Sequence, residues 1–256
     1  MTQPASEKID ALLKLSHDLG REDRGLAMLG EGNTSCRLDE DTFLVKASGS
    51  SLATLREDQL VACRFATLLP LLLADAMTDA EVEKTLLDSR VDSARPKPSV
   101  EAVFHAYLLT LPGVEVVGHT HPIAVNQILC AGEGPSRRFA LERRFPDEIV
   151  CCGAKSVLVP YVDPGTVLAQ AICRETEKFV AAEERSPRVI LLQCHGFIAL
   201  GPTAGSVLAA TLMAEKTAQI FVGASALGGP VALTPANVAR IDTRPDEHYR
   251  QRMLKL

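Results

Sequence analysis

The sequence contains no tryptophan, and aromatic residues make up only 4% of its 256 positions. That scarcity argues against a surface that stacks nucleobases or sugar rings on aromatic side chains. The seven cysteines include no C-x-x-C pair. Neither a disulfide framework nor a cysteine-built zinc site is therefore expected, and the odd thiol count fits a reducing cytoplasm. No segment approaches the ~20 apolar residues of a membrane span. The opening MTQPASEKIDALLK has no continuous apolar stretch, which predicts no signal peptide. Positive charge is not in excess either: the formal net charge is -5, which speaks against nucleic acid or an anionic membrane as the main partner. A G-x-S-x-G nucleophile elbow is missing. Gly30-Glu31-Gly32-Asn33-Thr34-Ser35 lacks the third glycine of a dinucleotide fingerprint and precedes strands instead of joining a strand to a helix.

What is present is an ordinary apolar fraction, 46%, enough for one packed core at this length. Short strands alternate with amphipathic helices. Ile9, Leu12, Leu13, Ser16 and Leu19 fall at helical spacing behind Ser6 as a cap. Asn33 to Lys46 reads as two strands joined by the acidic turn Asp39-Glu40-Asp41. Thr78 to Leu87 reads as a capped helix, and the loop Asp92 to Pro98 leads to Ser99, an N-cap opening a helix to about Leu111. Val114 to Gly118 is a β-branched strand that empties into His119-Thr120-His121-Pro122, with Pro122 suited to the first turn of the next helix. Arg188 to Gln193 and Phe197 to Leu200 read as strands broken at His195-Gly196, and Gly205 to Val222 as a closing helix. The alternation predicts a three-layer α/β/α sandwich, and the hairpin-like pairs predict a central mixed, largely antiparallel sheet.

The chemistry concentrates on histidine. His119 and His121 are two apart, a spacing that puts both rings on one face of a strand. First-row divalent ions favour imidazole nitrogen, and a catalytic zinc takes three protein ligands. His195 is the third candidate, followed by Gly196, whose backbone freedom a sharp break would use. Glu101 falls in the first turn of the predicted helix, where the macrodipole favours a carboxylate. Taken alone, the histidines also read as two ordinary residues near a surface turn, and Glu101 as a plain N-terminal helix acid. Cys151-Cys152 reads as buried packing, Cys194 as facing away from His195 on a strand, His105 as helix packing, and His17 and His248 as surface residues.

Five motifs carry a resemblance. They are GEGNTSCRLD, KASGSSL, KPSVE followed by Phe104-His105-Ala106, GVEVVGHTHP and LLQCHGFIALG, in this order between roughly Leu12 and Val222. Together they resemble the class II aldolase/adducin family, and VDSARPKPSVE and VPYVDPG are most similar to its fuculose/rhamnulose-1-phosphate aldolase branch. The resemblance implies one domain over 1–256, with a core of about 12–222 and a C-terminal tail at 223–256. It implies one divalent metal ion per subunit, Zn2+ first and Mn2+, Co2+ or Fe2+ as alternatives, on His119, His121 and His195. Glu101 would be the acid/base, and Asn33, Ser48, Gly49 and Ser99 a phosphate site with Lys46 and Lys97 adding charge. The implied reaction is retro-aldol cleavage of a small ketose or ketose 1-phosphate through an enediolate, by a cytoplasmic homo-oligomer, a tetramer in the family's pattern. A decarboxylase, a sugar-phosphate epimerase and a non-catalytic adducin-like scaffold are the alternatives. Burial is expected to lift the Glu101 carboxyl above its usual ~4.3, and activity to fall as pH drops through about 6 with ligand protonation. Two departures stand out. Val100 occupies a place where the family often has a second small hydroxyl, and the family's proton-donating tyrosine has no clear counterpart, with Asp147, Glu148 and Tyr249 as candidates.

Overall fold

A computed structural model of the chain describes residues 5–74 and 77–245. Its elements run α1 (Ala5–Leu19), β1 (Asn33–Arg37), β2 (Thr42–Lys46), β3 (Leu60–Arg64), α2 (Phe65–Leu68), α3 (Asp79–Asp88), α4 (Ala102–Leu108), β4 (Val116–Thr120) and α5 (Ile123–Leu129). They continue with α6 (Glu133–Leu141), α7 (Pro146–Cys152), β5 (Val157–Val159), α8 (Thr166–Glu183), β6 (Val189–Leu192), β7 (Gly196–Gly201), α9 (Ala204–Ser225) and α10 (Pro235–Asp242).

The strands form one sheet in the order β3-β2-β1-β4-β7-β6-β5. Every pairing is antiparallel except β5 with β6, so the sheet is mixed and largely antiparallel. Strand side chains alternate between two cores, as the period of two requires. Val45, Val117, Ile198 and Leu200 pack with α4 and α8 on one face. Leu44, Val116, Phe197 and Ala199 pack with α1, α5 and α9 on the other. The result is three layers. At a transfer value of about 25 cal/mol per Å², burial of these two apolar faces is the main stabilising term.

Local chemistry sets most boundaries. Thr78 caps α3 through a reciprocal box with Glu81, and Thr203 caps α9 through one with Ser206. The structure corrects four expected positions. Helix α1 already includes Ala5, so Ser6 lies inside it and not at its cap. Helix α4 starts at Ala102 and ends at Leu108, because Pro112 forbids its extension and Thr110 and Leu111 close as tight turns onto Tyr107 and Leu108. Strand β4 is displaced to Val116–Thr120, since Gly113 turns the chain with φ 74 and pairing starts only where Val116 meets Cys36 and Gly201. Pro122 stands at the N-cap of α5, not within its first turn.

Two buried charges brace the fold, the first of them next to the site. Glu215 of α9, 7% exposed, accepts the Ala124 and Val125 amides at 3.1–3.3 Å, pinning the start of α5 directly after His121-Pro122. Arg143, 2% exposed, donates to the carbonyls of Gly153, Ala140 and Glu142 and to Ser156 Oγ at 2.7–3.1 Å. It thereby ties α6 to α7 and β5. The segment after α9 returns to the body: Ile241 of α10 packs with Ile149 and Val150 of α7, and the Leu233 amide donates to the Arg143 carbonyl at 2.7 Å.

Candidate metal and acid/base site

The middle of the sheet brings the candidate residues together. His119 of β4 lies beside Asn33 of β1 on one side and Ile198 of β7 on the other, completely buried. His121 follows the strand end, its amide held by the Leu26 carbonyl at 2.8 Å. His195 comes from the tight turn between β6 and β7, closed by its own amide on the Leu192 carbonyl at 3.1 Å. The Asn126 side-chain amide donates to the His195 carbonyl at 3.1 Å, so α5 braces this turn as well.

The three rings stand mutually edge-on, with centroids 4.9, 5.2 and 5.1 Å apart. Nε2 of His119 and Nε2 of His121 are 3.1 Å apart, and one ligand atom from each of the three histidines falls within 4.8 Å of the others. Glu101 closes the fourth side, its Oε1 3.5 Å from His119 Nε2 and 3.6 Å from His195 Nε2. This donor set fits a divalent first-row ion: three imidazole nitrogens and a carboxylate oxygen converge on one point. Two neutral rings facing Nε2 to Nε2 can share only one hydrogen, whereas a cation satisfies both lone pairs.

Glu101 is placed by Ser99. Its amide donates to Ser99 Oγ at 3.3 Å, and its carbonyl accepts the His105 amide at 3.2 Å. Glu101 therefore occupies the N-cap of α4, and Ser99 lies just outside the helix, not at its cap. Asn33 Nδ2 donates to Glu101 Oε2, leaving Oε1 toward the histidines. Burial pushes the Glu101 carboxyl up, but His119 and His195 outweigh it and bring it down to about 2. That reverses the expectation of a raised carboxyl: beside these rings Glu101 rests as a carboxylate.

The residues expected to hold phosphate are partly assembled. A bridge between Ala47 and Pro98 brings the turn at Ser48-Gly49 against Ser99, whose amide donates to the Lys46 carbonyl at 3.3 Å. The Ser48 amide is engaged by the Lys97 carbonyl at 2.9 Å, while Gly49 turns the chain with φ 77. Lys46 is buried, 2% exposed, with Nζ on the Ser50 carbonyl at 2.5 Å and the Gly30 carbonyl at 3.4 Å. Burial lowers its pKa against the pull of Glu101. Lys97 is a correction: its ammonium pairs with Glu83 of α3 at 3.0 Å and so is directed to the helix, not to the site. Arg95 is likewise drawn to Asp92, at 3.9 Å.

Other expectations divide. His105 is fully buried, with Nδ1 on Ser35 Oγ at 2.7 Å. His17 lies at the surface, and Cys152 is buried. Cys194 sits in the β6–β7 turn with φ 53, exposed, and not on a strand. The left-handed residue of that turn is thus Cys194 and not Gly196. Gly196 is required for space, since a Cβ there would lie 2.6 Å from His121 Cδ2 and 2.7 Å from the Thr120 carbonyl. Glu148 is 3% exposed and held by Arg144 at 3.1 Å, which removes it as a proton donor to a substrate. Tyr249 and His248 lie outside the described residues.

Gly196→Ala is accordingly expected to displace the His121 ring and weaken metal binding at least tenfold, at little cost in helix content. Metal titration alongside circular dichroism checks this. Unchanged affinity would show that the ring has room to yield.

Sequence reasoning missed Glu31, Glu215 and Asn126. Glu31 Oε1 lies 3.6 Å from His121 Nδ1. Its only signal was its place next to Gly32-Asn33. Glu215 and Asn126 act on backbone across the fold, which spacing cannot show.

The fold and the converging side chains define a class: a three-layer α/β/α domain whose sheet centre presents three histidines and a carboxylate able to hold a metal ion. The chain belongs to the Class II Aldolase and Adducin N-terminal domain family, which it matches over residues 10–222. It is 30% identical over 222 residues to the protein named uncharacterized oxidoreductase YuxG of Bacillus subtilis (strain 168), a match covering 84% of this chain. The chain spans 29% of the length of that relative. It is 28% identical over 216 residues to the 3-oxo-tetronate 4-phosphate decarboxylase of Haemophilus influenzae, covering 81% of this chain and 85% of that protein. Among solved structures, an L-fuculose 1-phosphate aldolase superposes with a TM-score of 0.71 at 18% identity, covering 96% of this chain and 98% of that one. That last likeness is one of fold.

Proposed function

We propose that this chain is a divalent-metal-dependent carbon–carbon lyase that cleaves a small ketose or ketose 1-phosphate, of the fuculose or rhamnulose 1-phosphate kind, by retro-aldol chemistry. The observation that carries the reading is the convergence of His119, His121 and His195 on one point with Glu101 at 3.5–3.6 Å from two of the rings. A scaffold without catalysis has no need of this arrangement. An ion held there, Zn2+ by preference, supplies Lewis-acid polarisation of a carbonyl.

The protein's own groups do the rest. In cleavage Glu101, resting as a carboxylate, takes the proton of the hydroxyl that becomes the aldehyde carbonyl as the carbon–carbon bond breaks, and then gives that proton to the carbon beside the ketone carbonyl; synthesis runs the same transfers in reverse. Asn33 fixes the carboxylate by donating to its other oxygen. Asn33, Ser48, Gly49 and Ser99 hold the phosphate, through the Ser48 and Ser99 hydroxyls and the Gly49 turn, since the Ser48 and Ser99 amides are already engaged by the Lys97 and Lys46 carbonyls. The buried Lys46 offsets the negative charge of Glu101 next to it. This reading implies a homo-oligomer, a tetramer, working in the cytoplasm on a small sugar or sugar phosphate.

The match to the Haemophilus decarboxylase favours one second reading, loss of CO2 from a 3-oxo acid phosphate at the same centre. Both reactions leave negative charge on a carbonyl oxygen, so the ligands do not separate them. Incubating Zn2+-loaded protein with fuculose 1-phosphate, rhamnulose 1-phosphate and 3-oxo-tetronate 4-phosphate does. Aldehyde release from the ketose phosphates is the expected result, and CO2 release without aldehyde establishes the second reading. Absence of both with a metal-loaded protein overturns the two together.

A further inference from the structure

The three candidate ligand rings are held differently on their outer sides. His119 turns Nδ1 to the Phe197 carbonyl at 3.0 Å. His195 keeps Nδ1 buried with no hydrogen-bond partner among the described residues. His121 turns Nδ1 toward a side chain, with Glu31 Oε1 at 3.6 Å. Glu31 is itself anchored, its Oε2 accepting the Met28 amide at 2.9 Å. The loop around it is shaped to cross the strand end. Leu29 adopts φ 53 and Gly32 φ 72, and a Cβ on Gly32 would lie 2.6 Å from the His119 carbonyl.

We propose that Glu31 is a positioning residue for His121, and through it for the metal; this rests on the metal-centre reading above. A cation on Nε2 leaves the ring hydrogen on Nδ1, so the nitrogen facing Glu31 becomes an obligatory donor. A carboxylate opposite that nitrogen fixes the tautomer, steadies the ring plane and raises the basicity of Nε2. His121 needs such a brace more than His119 does. His119 is locked inside the sheet, whereas the His121 side chain is 22% exposed and lies beyond the last paired residue of β4, Thr120. Glu31, 41% exposed on a loop, can be replaced without opening the core.

The test compares wild type, Glu31→Ala and Glu31→Gln by Zn2+ competition against a chromophoric chelator and by the absorption spectrum of the Co2+-substituted protein. Glu31→Ala is expected to weaken Zn2+ binding by roughly 10- to 100-fold and to alter the Co2+ bands. Glu31→Gln, which keeps an acceptor oxygen, recovers most of the affinity. Wild-type affinity and an unchanged Co2+ spectrum in Glu31→Ala overturn the assignment. In that case loss of metal in a parallel His121→Ala variant leaves the metal centre standing. A wild-type chain that takes no Zn2+ overturns both.

Discussion

Replacing His119 with alanine is expected to abolish metal binding and activity together. The ring is completely buried, reaches His121 Nε2 at 3.1 Å, and is fixed from behind by the Phe197 carbonyl. The other two histidines of the cluster already donate, so neither can take its place. Zinc sites release about 10–16 kcal/mol shared among three or four donors, so losing one costs on the order of a hundredfold in affinity or more. The pH dependence follows from the same ring. Burial disfavours its charged form, but Glu101 outweighs burial and holds His119 above the ordinary histidine value. His121 is pushed down to about 3 by burial and by His119, and His195 is lowered by the same two causes. A raised histidine takes its proton on the neutral side of ~6.5, so metal affinity begins to fall there as pH drops, and not only near 6. One competing proton gives a loss of about tenfold per pH unit. Metal titration between about pH 5 and 8 checks the slope, and a loss of two or three protons' worth contradicts the assignment.

The second large effect is at Glu101. Glu101→Gln keeps the shape of the side chain and an oxygen able to accept from Asn33, while removing the capacity to move a proton. Turnover is expected to fall by roughly 10²- to 10⁴-fold, the usual scale of general acid–base catalysis, with metal content and fold retained. Elemental analysis and a cleavage assay on the same preparation check it. Normal turnover in this variant contradicts the role given to Glu101. Loss of metal with turnover would instead make Glu101 a ligand first.

Much of this was legible in the sequence, for identifiable reasons. The His119-x-His121 spacing is a local pattern, and the β-branched run before it placed both residues at a strand end. The five motifs located His195 and Glu101 as partners, which neither spacing nor periodicity does. The layered fold followed from the alternation of elements. What escaped was non-local or set by sterics. The reversed Glu101 shift depends on His119 and His195 lying within 4 Å, and burial alone points the other way. Lys97 sits close to Ser99 in sequence, yet Glu83 draws its ammonium to α3. Gly196 looked like a conformational hinge, but its role is the space it leaves for His121. Glu31 and Glu215 reach their partners only through the fold.

The most direct test of the central claim is metal content. Elemental analysis of purified wild type and His121→Ala is expected to find about one divalent ion per chain in the first, lost in the second. A wild-type protein that holds no metal, even after reconstitution with Zn2+, Mn2+, Co2+ or Fe2+, would contradict the account.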